Sequence, residues 1–178
     1  MKVSIGYKIE SGPWGGGNRF VSDLKKVLEL KGHNVVFDLV DSDIDIILII
    51  NPRYRRNPNV TFGAGKILNY LIFRNPEVVV VHRINECDER KNTKYVNKYL
   101  IEANKTSDFT IFVSKWLKNL YTEQGMGTKE KHVIYAGANK EIFNDTGFIP
   151  WDKKEKLKIV THHWGANWNK GFETYVKI

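Results

Sequence analysis

A run of glycines near the amino terminus is the first segment whose composition indicates chemistry. Residues 11–18 read SGPWGGGN, and an amphipathic helical pattern follows them. Three consecutive glycines before a helix, Gly15, Gly16 and Gly17, leave backbone N–H groups open to an anion and let a ligand approach the backbone closely. The spacing matches neither the G-x-G-x-x-G dinucleotide fingerprint nor a Walker A loop. We therefore predict an anion-binding loop of another kind; the alternative is a flexible turn that uses glycine for positive φ.

Polar side chains that follow two predicted strands are the next candidates. Arg53 follows the third strand, and His82 ends the fourth, where its ring could exchange a proton or hydrogen-bond a substrate. Arg83, Asn85 and Glu86 come directly after His82. Because ligands of an open parallel sheet bind beyond the carboxyl ends of its strands, these residues should share one edge with the glycine loop. A lone histidine at such a position is structural as often as functional, so both roles stay open.

Two later segments add candidates at the same predicted edge. Asn139 follows the sixth predicted strand in the turn AGAN, and His163 and Lys170 follow the seventh. His162 and His163 are adjacent, so their side chains diverge on a strand end. They therefore lack the i,i+4 spacing of a helical zinc site.

Two overlapping D-x-D pairs, Asp41 with Asp43 and Asp43 with Asp45, raise the question of a metal. Such pairs can hold a divalent cation against a diphosphate. These carboxylates stand at the amino end of the third predicted strand, which is the edge opposite the expected cleft. We interpret them as a solvated strand entry, and we predict no metal site and no cofactor.

Apolar runs alternate with helical periodicity along the chain, which is typical of βαβ units and a parallel sheet. The pattern predicts an α/β fold, a Rossmann-like doubly wound parallel sheet, in which Ser114 caps one helix. The predicted strands are 2–7, 35–37, 44–50, 77–82, 109–113, 132–135 and 157–161. The predicted helices are 19–31, 65–74, 94–105, a segment from Ser114 to Gly125, and 171–178.

The predicted domain organisation has three parts. Residues 1–146 form a Rossmann-like domain. Residues 147–156 lack periodicity and combine Gly147 and Pro150 with several charges, so they indicate a linker. Residues 157–178 open a second α/β domain, which is truncated.

The chain has 178 residues and a formal net charge of +8, so anionic partners are expected. A basic nucleic-acid or polyanion-binding module is one hypothesis, because Trp14, Tyr54 and Trp168 lie near basic residues. The basic residues form no single stripe and no nucleic-acid motif is present, so we do not expect a nucleic-acid partner. The apolar runs are far shorter than the roughly 20 residues that span a bilayer, and no secretory signal starts the sequence. Cys87 is the only cysteine, and we expect a cytoplasmic location with optional peripheral membrane contact.

Taken in order, these pieces resemble retaining glycosyltransferases of the GT-B fold, family 4. The similarity runs through nearly the whole chain, and the order and spacing of the pieces carry it. The matching pieces are Gly15-Gly16-Gly17, 31–35 (KGHNV), 80–83 (VVHR), 112–114 (FVS), 133–139 (VIYAGAN) with Phe143, 161–164 (THHW) and 170–172 (KGF).

The resemblance implies an enzyme with its active site between two Rossmann-like halves. It would transfer a hexosyl group from a nucleotide-sugar donor to a sugar, lipid or anionic acceptor, with retention at the anomeric carbon and without a metal. Such transfer serves glycan or glycolipid biosynthesis. Gly15, Gly16 and Gly17 would approach the donor diphosphate and sugar, and His82 would contact the donor sugar or the reaction centre.

The remaining site residues divide between the two substrates. Lys170 would neutralise charge on the leaving diphosphate, a transition-state role, and His163 and Asn139 would join it on the donor side. The residues assigned to the acceptor side are Arg53, Arg83, Asn85 and Glu86.

Two departures from the family pattern matter. Gly165 stands where the family has an arginine, so His163 or Asn167 is the candidate replacement. The family's paired glutamates would lie deeper in the second domain, so we expect the 178-residue chain alone to be inactive. A related GT-B-like enzyme such as a sugar-nucleotide epimerase stays open, because fold alone does not determine function.

Overall fold

The computed structural model describes residues 1–12, 15–54, 57–127, 130–158, 160 and 171–177. The chain divides into two compact units, Met1–Tyr135 and Ala136–Ile178, ahead of the boundary predicted at residue 146. The described part of the second unit contains one short helix, Phe172–Tyr175. The strand predicted over 157–161 falls partly outside the described residues, and Leu157, Lys158 and Val160 are not in a strand.

The first unit is built on a sheet with six strands in its described residues. They are β1 (Lys2–Ile5), β2 (Asn34–Val36), β3 (Ile46–Ile49), β4 (Val79–Ile84), β5 (Phe109–Phe112) and β6 (Glu130–Val133). Their spatial order is β2-β1-β3-β4-β5-β6, and every neighbouring pair is parallel. The predicted Rossmann-like α/β fold is confirmed.

Helices form the connections between these strands, as is usual in a parallel sheet, except between β2 and β3, where residues 37–45 contain no helix. They are α1 (Gly16–Leu30), α2 (Ala64–Phe73), α3 (Asp88–Lys91), α4 (Val96–Asn104) and α5 (Lys115–Glu123). Ser114 caps α5 as predicted, since its Oγ accepts a hydrogen bond of 3.2 Å from the Leu117 N–H. Of the helices in these ranges, none has the length and apolarity that a bilayer crossing demands.

The two faces of the sheet are covered by different helices. Leu48 packs with Val21 of α1 on one face, whereas Ile47 packs with Ile67 of α2 on the other. The chain moves from β1 to β2 on one side and later places β3 on the opposite side of β1. Strand order therefore reverses between β1 and β3, which makes the carboxyl ends of these strands the topological switch point.

Two predicted boundaries near the site were wrong. The fourth strand ends at Ile84 and not at His82, because Arg83 and Ile84 continue the pairing with Ile111 and Phe112 of β5. The first helix begins at Gly16 and not at Arg19. Glycine is tolerated there because the first N–H groups of a helix have no partner within it.

Two glycines that were not singled out in the sequence allow close packing beneath the site. A Cβ on Gly6, just after β1, would lie 2.8 Å from Cε2 of Phe62. A Cβ on Gly63, the N-cap of α2, would lie 2.8 Å from the carbonyl oxygen of Pro52. The loops that follow β1 and β3 therefore approach their neighbours too closely for a larger residue.

We predict that Gly63→Ala destabilises the fold by roughly 1–3 kcal/mol, because its methyl group meets backbone that cannot rotate away. Gly65→Ala is the matched control, since a Cβ there has no heavy atom within 4 Å. It should stabilise α2 by up to about 1 kcal/mol through higher helix propensity. Urea unfolding of both variants measures the difference, and equal stabilities would contradict the close approach.

Candidate ligand-binding site

The start of α1 is an open, uncapped helix terminus at the switch point. Its N-cap, Gly15, has no side chain to bond the first N–H groups, and the first turn contains no acidic residue. Among the described residues, a Cβ on Gly16 would have no heavy atom within 4 Å, so that part of the chain leaves space beside this turn. A helix start of this kind attracts anions through its unbonded N–H groups and the helix dipole.

Asn18 holds the β1–α1 loop against that first turn. Its side chain is almost buried, with 7% exposure. Its Oδ1 accepts a hydrogen bond of 2.8 Å from the Glu10 N–H, and its Nδ2 donates one of 2.8 Å to the Glu10 carbonyl. The Lys8 N–H donates to the Asn59 carbonyl at 2.7 Å, which joins this loop to the loop after β3. Both walls of the switch point are therefore fixed by backbone contacts.

An ordered polar group follows β3 and β4 at the same edge. Asn51 Oδ1 accepts hydrogen bonds from the Arg53 backbone N–H at 3.0 Å and from Arg53 Nε at 2.9 Å. The other end of the Arg53 guanidinium is paired with Glu86 Oε1, and Lys91 of α3 is paired with Glu86 Oε2. Two cations thus share one nearly buried carboxylate. Arg53 is held in one orientation by this pairing, with a net positive charge on the group.

Glu86 is also fixed through its backbone. The Tyr121 hydroxyl oxygen lies 2.9 Å from the Glu86 carbonyl and 3.1 Å from Asn97 Oδ1. Burial raises the pKa of Tyr121 far above its usual range, so the hydroxyl stays protonated. The loop that carries Glu86 is therefore attached to α5 and α4 as well as to Arg53.

Asp88 closes the same loop by capping α4 from outside the helix. Its carboxylate accepts hydrogen bonds from the backbone N–H groups of Val96 at 2.9 Å and Asn97 at 3.0 Å. Burial alone would raise the pKa of Asp88, but the hydrogen bond from the Thr93 hydroxyl and these backbone bonds outweigh it and lower the pKa. Asp88 is therefore committed to the fold and is not a free acid or base.

His82 lies inside the sheet and not at its edge. Its side chain has 0% exposure, and its Nδ1 accepts a hydrogen bond of 3.1 Å from Asn104 Nδ2, which also donates to Thr110 Oγ1 at 2.8 Å. With Nδ1 accepting, the proton is on Nε2, and that atom has no partner in the described structure. Burial lowers the pKa of His82 to about 3, so the ring is neutral near pH 7.

Arg83 occupies the opposite face of β4, since successive strand residues point to opposite faces. Its guanidinium carbon lies 3.8 Å from the centre of the Phe20 ring of α1. The residue is 9% exposed, and burial lowers the pKa of its guanidinium. Arg83 therefore sits with α1, whereas His82 sits with α4.

The remaining predicted site residues are placed as follows. Asn85 is half-buried after β4, and its carbonyl accepts a bond of 3.3 Å from Arg90 Nη1. Asn139 lies in the second unit, where its Oδ1 accepts from the Glu141 N–H at 2.9 Å in a local turn. His163 and Lys170 lie outside the described residues.

The acidic pairs lie at the amino edge of the sheet, as expected. Lys2 Nζ contacts Asp41 at 2.9 Å and Asp43 at 2.6 Å, and the Lys2 N–H donates to Asp45 Oδ2 at 2.7 Å. The hydrogen bond from Lys2 lowers the pKa of Asp43. Across the described ranges, no three His, Cys, Asp or Glu side chains are grouped as metal ligands.

The structure pairs Arg53 with Glu86, which were both assigned to the acceptor side, and it adds Asn51 and Lys91 to them. Lys91 was missed because α3 is only four residues long and shows no periodicity. The order of charges in the sequence could have indicated this short helix. Two acidic residues begin α3 and two basic residues end it, which suits the helix dipole.

Comparison of the sequence with known family models and with curated proteins finds no match.

We predict that His82 makes the fold sensitive to mild acid. Its pKa in the folded state is about 3, below the value of about 6.5 of an unfolded chain. Below pH about 6.5 the unfolded state therefore binds a proton that the folded state excludes, and the free energy of unfolding falls by up to about 1.4 kcal/mol per pH unit.

The measurement is urea unfolding at several pH values between about 7.5 and 5, above the range where most carboxylates titrate. His82→Gln should flatten the pH dependence, and His132→Gln, on an exposed residue of β6, is the matched control for the loss of one histidine. Parallel curves for wild type and His82→Gln would contradict the buried neutral ring.

Proposed function

We propose that this chain forms one side of the active site of a retaining glycosyltransferase that uses a nucleotide-sugar donor. The observation that carries the proposal is the uncapped glycine start of α1 at the β1–β3 switch point. Ligands of open α/β sheets bind in that crevice, and a helix start without a cap suits the negative charge of a diphosphate. The resemblance of the ordered motifs to GT-B glycosyltransferases of family 4 supplies the reaction class.

On the donor side, the N–H groups of Gly15, Gly16 and Gly17 would contact the diphosphate and sugar. Lys170, His163 and Asn139 would complete the donor contacts with a second Rossmann-like domain, which the resemblance implies. No metal is required in this proposal, because protein N–H groups and Lys170 would neutralise the leaving diphosphate.

The proposal assigns His82 the role of a hydrogen-bond donor and not of a proton acceptor. A ring with a pKa of about 3 is a poor base near neutral pH. Its Nε2–H has no acceptor in the described structure. Donation to a sugar hydroxyl would satisfy that group, but the ring is fully buried, so a substrate must first uncover it.

On the acceptor side, the paired Arg53 and Glu86, with Asn85 and Arg83, would bind a sugar, lipid or anionic acceptor. Arg53 is held by Asn51 and Glu86, so little conformational entropy is lost when it binds. A cytoplasmic enzyme with peripheral membrane contact fits such acceptors.

Isothermal titration of a longer gene product that includes the proposed second domain, with UDP-, GDP- and ADP-sugars, tests the proposal. We expect one nucleotide class to bind and its sugar to be transferred with retention. If no nucleotide sugar binds, the proposal is wrong. Binding to short oligonucleotides that weakens steeply with salt would favour the polyanion-binding alternative.

We predict that Gly17→Ala separates folding from donor binding. Among the described residues, a Cβ on Gly17 meets only the Tyr7 hydroxyl, at 4.0 Å, so the protein should fold and be up to about 1 kcal/mol more stable. The added methyl group would keep the donor diphosphate from contacting the first N–H groups of α1. The affinity of the protein for the donor should therefore fall about tenfold or more, as the loss of a charge-assisted hydrogen bond implies. Gly65→Ala, in the first turn of α2, is the matched control. Equal donor affinity in both variants would contradict the assigned role.

A further inference from the structure

Arg83 is a nearly buried cation without a counter-ion. It is 9% exposed, and its Nη1 is fully buried with no hydrogen-bond partner in the described structure. Among the described residues no ion pair to its guanidinium is present, and the guanidinium stacks on the ring of Phe20. A guanidinium keeps its charge even when burial lowers its pKa. A buried charge without a partner is costly, so such a position calls for an anion.

The guanidinium lies beside α1, one helical turn from its start. Its carbon is 3.8 Å from the centre of the Phe20 ring, and Phe20 follows Gly16 and Gly17 by one turn. Helical side chains lean toward the helix amino terminus, so the ring on which the guanidinium stacks leans toward the uncapped first turn. Around Gly16, in that turn, a Cβ would meet no heavy atom of the described residues within 4 Å.

Nearby carboxylates are already paired with other cations. Glu86 is shared by Arg53 and Lys91. Asp23, one turn along α1, is bonded to Arg19 at 2.9 Å. The described part of the chain therefore supplies no anion to Arg83, although it supplies two kinds of donor for one.

We infer that Arg83 and the first turn of α1 form a single oxyanion site that binds a phosphoryl group. Arg83 would contribute guanidinium N–H donors, and Gly16 and Gly17 would contribute backbone N–H donors and the positive end of the helix dipole. This inference deepens the proposed function and rests on it only for the identity of the ligand. It changes the assignment of Arg83 from the acceptor side alone to a group shared with the glycine turn.

A purely structural role is the competing explanation. A guanidinium stacked on an aromatic ring can contribute by cation–π attraction and by covering apolar surface. In that case removing Arg83 would lower stability and leave anion affinity unchanged. Binding and stability must therefore be measured on the same variants.

The test is isothermal titration of the 178-residue chain with inorganic pyrophosphate and, separately, with glycerol 3-phosphate, at constant ionic strength. We expect saturable binding of at least one. Arg83→Met, which keeps an apolar cover on Phe20, should weaken it by about tenfold or more, the effect of losing a charge-assisted hydrogen bond. Arg19→Met, which removes the same charge from an exposed position on α1, should change it by less than about twofold, as expected for a screened surface charge.

A measurement on the unaltered chain covers the case in which Arg83→Met does not fold. The ¹⁵N-detected Nε–H resonance of Arg83 should shift on addition of the same anion. The inference is wrong if neither anion binds, or if binding leaves this resonance unchanged and survives in Arg83→Met.

The two anions also identify the source of the phosphoryl group. Stronger binding of pyrophosphate assigns the site to a nucleoside diphosphate, and stronger binding of glycerol 3-phosphate assigns it to a phosphate ester on the acceptor. Failure of nucleotide sugars to bind, with pyrophosphate binding intact, would remove the proposed function and leave the oxyanion site standing.

Discussion

Parallel pairing of the strands determines where a ligand can meet this chain. Because all neighbouring strands run in the same direction, their carboxyl ends meet at one edge of the sheet. Residues far apart in sequence, such as Gly15, Arg53 and Glu86, are therefore presented at one edge. The reversal of strand order between β1 and β3 makes this edge the topological switch point, where open α/β sheets bind their ligands. The start of α1 and the Asn51–Arg53–Glu86 group both depend on that reversal.

The same sheet geometry separates the two charged or titratable residues at the end of β4. His82 and Arg83 are adjacent in a strand, so their side chains lie on opposite faces of the sheet. His82 faces α4 and Arg83 faces α1. Burial affects them differently. The imidazole becomes neutral and is satisfied at one nitrogen by Asn104, whereas the guanidinium remains charged and stacks on the Phe20 ring. The two adjacent residues thus differ in chemistry: His82 is a neutral donor in the core, and Arg83 is a cation without an ion pair among the described residues.

Much of the fold was predictable from the sequence because strong periodicity reports burial. The alternation of strands and helices predicted the parallel sheet, and Ser114 was a clear helix cap. Local composition was less informative where tertiary contacts decide the end of a strand or the partner of a side chain. The predicted fourth strand ended at His82, yet pairing with β5 keeps Arg83 in the strand. Lys91 could not be predicted as a partner of Glu86, since that contact depends on a four-residue helix and on the path of the loop.

The central claim is that the β1–β3 switch point, with the start of α1 and Arg83, is the ligand-binding surface. Amide ¹H–¹⁵N NMR spectra of the 178-residue chain, recorded while inorganic pyrophosphate is added, test it most directly. The account predicts that the resonances that move belong to Gly15, Gly16, Gly17 and Arg83. Shifts confined instead to the surface groove of α3 and α4, lined by Asp88, Glu89, Lys94 and Lys98, would contradict it.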